Sequence, residues 1–220
     1  MKKACPDWTD QEKEIVRRTE TYVERQLYED VTGHDYHHIL RVVALARQIA
    51  LQENGDLFLV RMAALLHDID DPKVVGRADS QKAKTFLASL DPEKKTRLDV
   101  PKILDILDNL SYTSTLQGKR ETTLEGQIVQ DADRLDALGA IGIARTFAYG
   151  GFKRRPIYAG LTDDDSSVAH FHQKLLKLEG LMNTKTGKKW AKERTRYLKE
   201  FLDRFQQDWN LEGPLPPDGR

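Results

Sequence analysis

The sequence has little of several features that would place a protein in a specialised class. It contains one cysteine, Cys5, so no disulfide can form within the chain. No apolar run approaches the roughly 20 residues that a membrane span needs, and Lys2 and Lys3 are not followed by the apolar segment of a signal peptide. Lys and Arg together number 35, as do Asp and Glu, so the net charge favours neither nucleic-acid polymers nor membrane surfaces. From these absences we expect a cytoplasmic protein that binds no membrane and no nucleic-acid polymer.

What the chain does have is a steady helical pattern. Apolar residues make up 39% and charged residues 32% of the 220 positions, which is typical of a globular protein. Apolar positions recur at helical spacing almost throughout, without convincing strand-like alternation. The sequence therefore predicts an all-α fold. The first predicted helix starts at residue 9 or 10. The others cover residues 35–52, 57–69, 80–90, 95–110, 122–137 with a continuation over 141–149, 166–182 and 186–209.

A pair of glycines, Gly150-Gly151, marks the predicted boundary of the helical core. We expect this core over residues 1–150. A basic loop and a C-terminal helical hairpin that packs on the core are predicted over 151–212. Three prolines within 213–220 predict a disordered tail.

Three histidines stand close together near the start of the second predicted helix: His34, His37 and His38. His38 falls in line with Val42 and Ile49 on the buried stripe of this helix, whereas His37 falls on a wetter face. We therefore interpret His37 as an ordinary structural histidine and His38 as a candidate ligand. His34, at the helix start, could cap the helix or contact a substrate.

A second polar group ends the most apolar helix of the chain. His67-Asp68 directly follows the apolar residues 63–66, and Asp70 and Asp71 come soon after. Burying a histidine and carboxylates there is costly unless a cation compensates their charge and lone pairs. Neutral imidazole and carboxylate are ligands for Mn, Fe, Co, Ni and Zn. The pattern favours a metal site over its alternative, a solvated helix end.

Three aspartates interrupt the apolar helix predicted over residues 122–137: Asp131, Asp133 and Asp136. Asp131 falls in line with Ile128, and Asp133 falls in line with Val129. Helical phase therefore leaves both Asp131 and Asp133 open as a further ligand.

The order His, His-Asp, Asp on separate helices resembles the HD-domain superfamily of metal-dependent phosphohydrolases. Residues 38–42 match the family's first histidine with its following Arg-Val, and residues 66–69 match the His-Asp doublet. In the last motif, residues 132–135, the family ligand is the aspartate after alanine, which favours Asp133 over Asp131. The resemblance implies an HD-domain helical core with one divalent metal ion, Mn²⁺ favoured and Ni²⁺, Co²⁺, Fe²⁺, Zn²⁺ or Mg²⁺ as alternatives. The implied ligands are His38, His67, Asp68 and Asp133.

The chain is also similar to compact bacterial HD hydrolases, some of which are nucleotide pyrophosphohydrolases. The matches include residues 33–35, Asp71 with Lys73, and residues 136–145, and the likeness runs from about residue 33 to 209. Related alarmone hydrolases have a Glu-Asp pair where this chain has Asp71 and Pro72, which argues against that activity. The resemblance implies a nucleoside triphosphate pyrophosphohydrolase. Phosphomonoesterase activity on nucleoside monophosphates, or a catalytically silent nucleotide-binding regulatory module, are the alternatives.

We expect a small phosphorylated substrate, in particular a nucleotide. Such a substrate gives roles to further residues. Asp71 is predicted to orient or deprotonate the attacking water, with a surface acid as the alternative. Lys73 is predicted to act beside it on the phosphates. Cationic side chains suit dispersed phosphate charge, although the basic run 153–155 also fits a solvated loop. The predicted substrate-binding residues are His34, Arg41, Arg154, Arg155, His170 and Lys174. The sequence is also compatible with a homodimer.

Overall fold

The computed structural model describes residues 8–28, 35–70, 81–110, 123–160 and 165–211. These residues form α-helices, one 3-10 helix and no strand, which confirms the predicted all-α fold. The helices are α1 (Asp10–Leu27), α2 (Tyr36–Glu53), α3 (Leu57–Leu66), α4 (Lys82–Leu90), α5 (Val100–Asn109), α6 (Leu124–Asp136), α7 (Gly139–Phe152), α8 (Ser167–Gln173), the 3-10 helix Leu175–Leu181 and α9 (Lys185–Trp209). Among them, no helix is long and apolar enough to cross a membrane.

Short polar side chains fix where the helices begin. Thr9 starts α1 in a capping box with Glu12, and Asp35 starts α2 by accepting a hydrogen bond from the backbone N–H of His38 at 2.8 Å. Such caps satisfy N–H groups that the first turn of a helix leaves unpaired. Asp99 caps α5, which begins at Val100 rather than near residue 95 as predicted. The cap of α2 sets His38 in the first turn of that helix.

The centre of the molecule is the contact of α2 with α3 and α6. Ala46 in α2, Ala63 in α3 and Ala132 in α6 are completely buried. Small side chains at buried positions allow helices to approach closely, because little volume separates their backbones. The polar residues that these three helices carry are therefore brought close together.

The C-terminal hairpin has a first arm made of two pieces. The sequence predicts one helix over 166–182, but α8 ends at Gln173 and the chain continues as the 3-10 helix. Lys174 separates the pieces, with φ −131° and ψ −59° outside helical values. With three residues per turn, Leu175 and Leu178 both face inward. They belong to the same buried apolar cluster as residues of the central helices.

Candidate metal centre

Three separate segments supply the polar side chains at the centre of the fold. His38 lies in the first turn of α2 and is completely buried, whereas His37 is exposed, as their helical phase predicts. His67 is the C-cap residue of α3, which ends at Leu66, three residues before the predicted end. Beyond it the backbone turns more tightly, with the N–H of Ile69 donating to the carbonyl of Leu66 at 3.1 Å.

Ligand atoms of His38, His67 and Asp133 all lie within 4.8 Å of one another, and the Asp68 carboxylate lies beside both histidines. The Nε2 atoms of His38 and His67 lie 3.2 Å apart. Oδ2 of Asp68 is 3.3 Å from Nε2 of His38 and 3.4 Å from Nε2 of His67. Oδ1 of Asp133 is 3.5 Å and 3.8 Å from the same two nitrogens. Ligand atoms bound at about 2.0–2.2 Å around one ion lie roughly 3–4 Å apart, so these separations suit a shared metal ion.

The hydrogen-bond partners of the two imidazole rings indicate that this cluster fits a cation. Nδ1 of His38 lies 2.7 Å from Oδ2 of Asp136, and Nδ1 of His67 lies 2.9 Å from the carbonyl oxygen of Ala64. Because a carboxylate and a carbonyl only accept, each Nδ1 carries the proton. Each Nε2 therefore faces the other ring and two carboxylates. The two histidine side chains are 0% and 3% exposed, so water does not screen these atoms, and a metal ion or a proton on Nε2 of His38 relieves their repulsion.

The electrostatics of His38 also favour positive charge. Burial lowers the pKa of His38, but hydrogen bonds to Asp136 and Asp68 outweigh burial and raise this pKa to about 9. The surroundings of the ring therefore stabilise a cation at this position.

Asp131, which helical phase left open beside Asp133, makes a different contact. It accepts hydrogen bonds from the backbone N–H groups of Asn183 at 2.8 Å and Thr184 at 2.7 Å, and from the Thr184 hydroxyl at 2.8 Å. A Cβ atom added to Gly187 would lie 2.3 Å from Oδ2 of Asp131, so the chain packs directly on this carboxylate. Burial raises the pKa of Asp131, and these hydrogen bonds oppose that rise. Asp131 thus ties the start of α9 to α6, while Asp133 faces the histidines.

Asp136 and Arg145, for which the sequence predicted no role, lie beside the cluster. Asp136 accepts from Nε of Arg41 at 2.7 Å and from Nη1 of Arg145 at 2.8 Å, in addition to its contact with His38. Burial alone would raise the pKa of Asp136, but hydrogen bonds from His38 and Arg41 hold it well below its usual range. The turn at Gly139, with φ +72°, leads α7 back so that Arg145 reaches this carboxylate. The spacing in the sequence points to a role for Asp136 near the cluster: it follows Asp133 by three residues, which places both near one face of α6.

The remaining predicted substrate residues have other local partners, and their role stays a prediction. Arg41 contacts Asp136, a protein carboxylate. Nε of Arg155 lies 3.2 Å from the Asp165 carboxylate, and Arg154 is exposed with a left-handed φ of 56°. The half-buried residues His170 and Lys174 lie four positions apart, the N–H of the second donating to the carbonyl of the first at 3.0 Å. Three predicted site residues and the predicted tail over 213–220 lie outside the described residues; the three are His34, Asp71 and Lys73.

Comparisons with known proteins identify the family of this chain. The family model of the HD domain matches residues 35–138, a range that contains all four clustered residues. The uncharacterized protein YpgQ of Bacillus subtilis (strain 168) is 36% identical over 191 residues, which cover 86% of this chain and 90% of that protein.

Solved structures show the same likeness. YpgQ from B. subtilis in complex with ADP has a TM-score of 0.73 at 35% identity, and the aligned part makes up 90% of this chain and 96% of the YpgQ chain. A Lactobacillus plantarum protein has a TM-score of 0.78 at 35% identity, over 93% of this chain and 99% of that protein. An HD-superfamily hydrolase from Bacillus thuringiensis has a TM-score of 0.72 at 40% identity, over 90% of this chain and 98% of the hydrolase. Identity above 30% over nearly the whole of these relatives, with the family match across the clustered residues, shows that this chain belongs to the HD-domain superfamily and has the fold of its hydrolases.

Proposed function

We propose that this protein is a metal-dependent hydrolase of phosphate esters or anhydrides, with a nucleotide as its substrate. The observation that carries the proposal is the cluster of His38, His67 and Asp133, with the Asp68 carboxylate beside both imidazole Nε2 atoms. A divalent ion held there, for which we favour Mn²⁺, supplies a Lewis acid that polarises a phosphoryl group and activates water.

The exposure of the four side chains indicates where a substrate enters. The side chains of His38, His67 and Asp68 are 0%, 3% and 9% exposed, whereas that of Asp133 is 45% exposed. The protein therefore closes the cluster on most sides and opens it beside Asp133. A phosphate group and a water molecule approach from this side, because the other ligands are covered by the core.

Cationic side chains next to the cluster suit an anionic substrate. Arg41 and Arg145 both contact Asp136, which itself contacts His38, so the guanidinium groups lie close to the histidine ring. Their side chains are 34% and 21% exposed. Guanidinium groups bind phosphate oxygens through paired N–H donors. The ADP in the YpgQ structure supports a nucleotide as the molecule that brings this phosphate.

Asp71 and Lys73 are part of the proposal on sequence grounds. Asp71 and Lys73 follow Asp68 by three and five positions, and the resemblance pairs them with the His-Asp doublet. We assign Asp71 to orienting or deprotonating the attacking water and Lys73 to a phosphate oxygen. Among the substrate classes, a nucleoside triphosphate cleaved to a monophosphate and pyrophosphate comes first. Orthophosphate release from a monophosphate comes second.

Incubation of the purified protein with Mn²⁺ and each of the nucleoside mono-, di- and triphosphates tests this proposal. We expect pyrophosphate and a monophosphate from the triphosphates, with little orthophosphate, when both products are quantified separately. Asp68→Ala at equal concentration serves as the control and should release neither. Orthophosphate from monophosphates as the main product would favour the phosphomonoesterase. A folded, metal-loaded protein that binds nucleotides without releasing any product would contradict hydrolysis and favour a regulatory module.

A further inference from the structure

We infer that Asp136 is the positioning residue of the metal centre: it fixes the ring of His38 and is itself fixed by Arg41 and Arg145. This inference rests on the proposed metal-dependent function. It assigns a role to a carboxylate that donates no atom to the ligand cluster.

Asp136 contacts the His38 ring directly. Oδ2 of Asp136 lies 2.7 Å from Nδ1 of His38, and the His38 side chain is 0% exposed, so no water competes for this nitrogen. Because a carboxylate accepts a proton donor, it selects the ring form with the hydrogen on Nδ1. The other nitrogen, Nε2, faces His67, Asp68 and Asp133. Asp136 thus decides which nitrogen of His38 is available to a metal.

Two arginine side chains hold the Asp136 carboxylate in place. Arg41 donates to both carboxylate oxygens, through Nε at 2.7 Å and Nη2 at 3.0 Å, and Arg145 donates to Oδ2 through Nη1 at 2.8 Å. A two-point guanidinium contact restricts rotation of a carboxylate more than a single hydrogen bond does. The Asp136 side chain is 2% exposed. Its oxygens are therefore held by α2, by α7 and by the His38 ring at once.

The second histidine provides an internal comparison. Nδ1 of His67 donates to the backbone carbonyl of Ala64 at 2.9 Å, which is a neutral acceptor. A charged acceptor increases the basicity of an imidazole ligand more than a neutral one does. We therefore expect His38 to be the stronger of the two imidazole ligands, and we expect metal affinity to depend on Asp136.

The test is the affinity of Asp136→Asn for Mn²⁺, measured by isothermal titration calorimetry without any substrate. The amide keeps the shape but removes the charge and leaves one acceptor oxygen for three donor groups. We expect the Kd for Mn²⁺ to rise about 10–100-fold, the usual effect of removing such a partner. In the Zn²⁺-loaded protein, the proton on Nδ1 of His38 should lose its downfield NMR position, which a merely structural role would not change.

Asp131→Asn is the matched control. It removes the charge of another buried carboxylate on α6, whose hydrogen bonds go to Asn183 and Thr184 rather than to a histidine. We expect a lower thermal stability. Both Asp131 oxygens accept hydrogen bonds, whereas the asparagine amide has one oxygen and places its NH₂ group against an N–H or O–H donor. The Kd for Mn²⁺ should stay at the parental value.

A second variant keeps the inference testable if Asp136→Asn does not fold. Arg41→Lys retains the charge but loses the two-point contact with Asp136, and we expect a several-fold rise in Kd. Parental Kd in a folded Asp136→Asn, or in Arg41→Lys where the first variant is unfolded, would overturn the role of Asp136 and leave the proposed function standing. A parent protein that binds no Mn²⁺ would instead contradict the proposed metal centre itself.

Discussion

Replacement of His38 with alanine is expected to abolish hydrolysis, whereas replacement of the neighbouring His37 should change turnover by no more than a few-fold. Consecutive residues of an α-helix project about 100° apart, so only one of the two can face the core. The structure buries His38 completely, with its Nε2 within 3.5 Å of atoms from three other clustered residues, and leaves His37 exposed. Steady-state rates with Mn²⁺ and the best substrate measure the difference.

Both variants must be folded for this comparison to count, because His38→Ala also removes the hydrogen-bond partner of Asp136. Circular dichroism and thermal melting serve as the check. Equal losses of activity in two folded variants would contradict the assignment of His38 as the ligand on this helix.

Asp71→Asn is expected to lower turnover by roughly 10²–10⁴-fold, the usual scale for one general acid–base group. The four clustered residues remain intact in this variant, so the protein should keep its metal and its fold. KM should change little, because in the proposed mechanism Asp71 acts mainly in the transition state. Metal analysis together with kcat and KM measured on one preparation separates these effects.

The competing explanation for Asp71 is a surface acid before Pro72. In that case Asp71→Asn would change turnover by a few-fold at most. Near-parental turnover in a folded, metal-loaded Asp71→Asn protein would remove this residue from the proposed mechanism and leave the metal centre in place.

The helical pattern of the sequence predicted most of the fold, because buried apolar stripes at 3.6-residue spacing leave few other solutions. It also separated His38 from His37. It failed where local geometry departs from a regular helix. The turn after Leu66 and the break at Lys174 depend on backbone angles, and no periodic pattern encodes them.

The candidate site shows a second limit of helical phase. Asp131 and Asp133 both lie on α6 beside apolar positions, and only tertiary contacts distinguish them: the first binds the start of α9, and the second faces two histidines. Asp136 received no role from the sequence because two of its three partners are far away along the chain. Arg41 is 95 residues distant and His38 is 98 residues distant.

Metal stoichiometry tests the central claim most directly. After loading with Mn²⁺ and removal of excess ion, the parent protein should hold one ion per chain and Asp68→Ala should hold none. Asp70→Ala is the matched control, since that carboxylate lies two positions away and accepts hydrogen bonds from the backbone N–H groups of Lys82 and Ala83. This control should retain the ion. Full occupancy in a folded Asp68→Ala protein, or a parent that retains no ion, would contradict a metal centre built from His38, His67, Asp68 and Asp133.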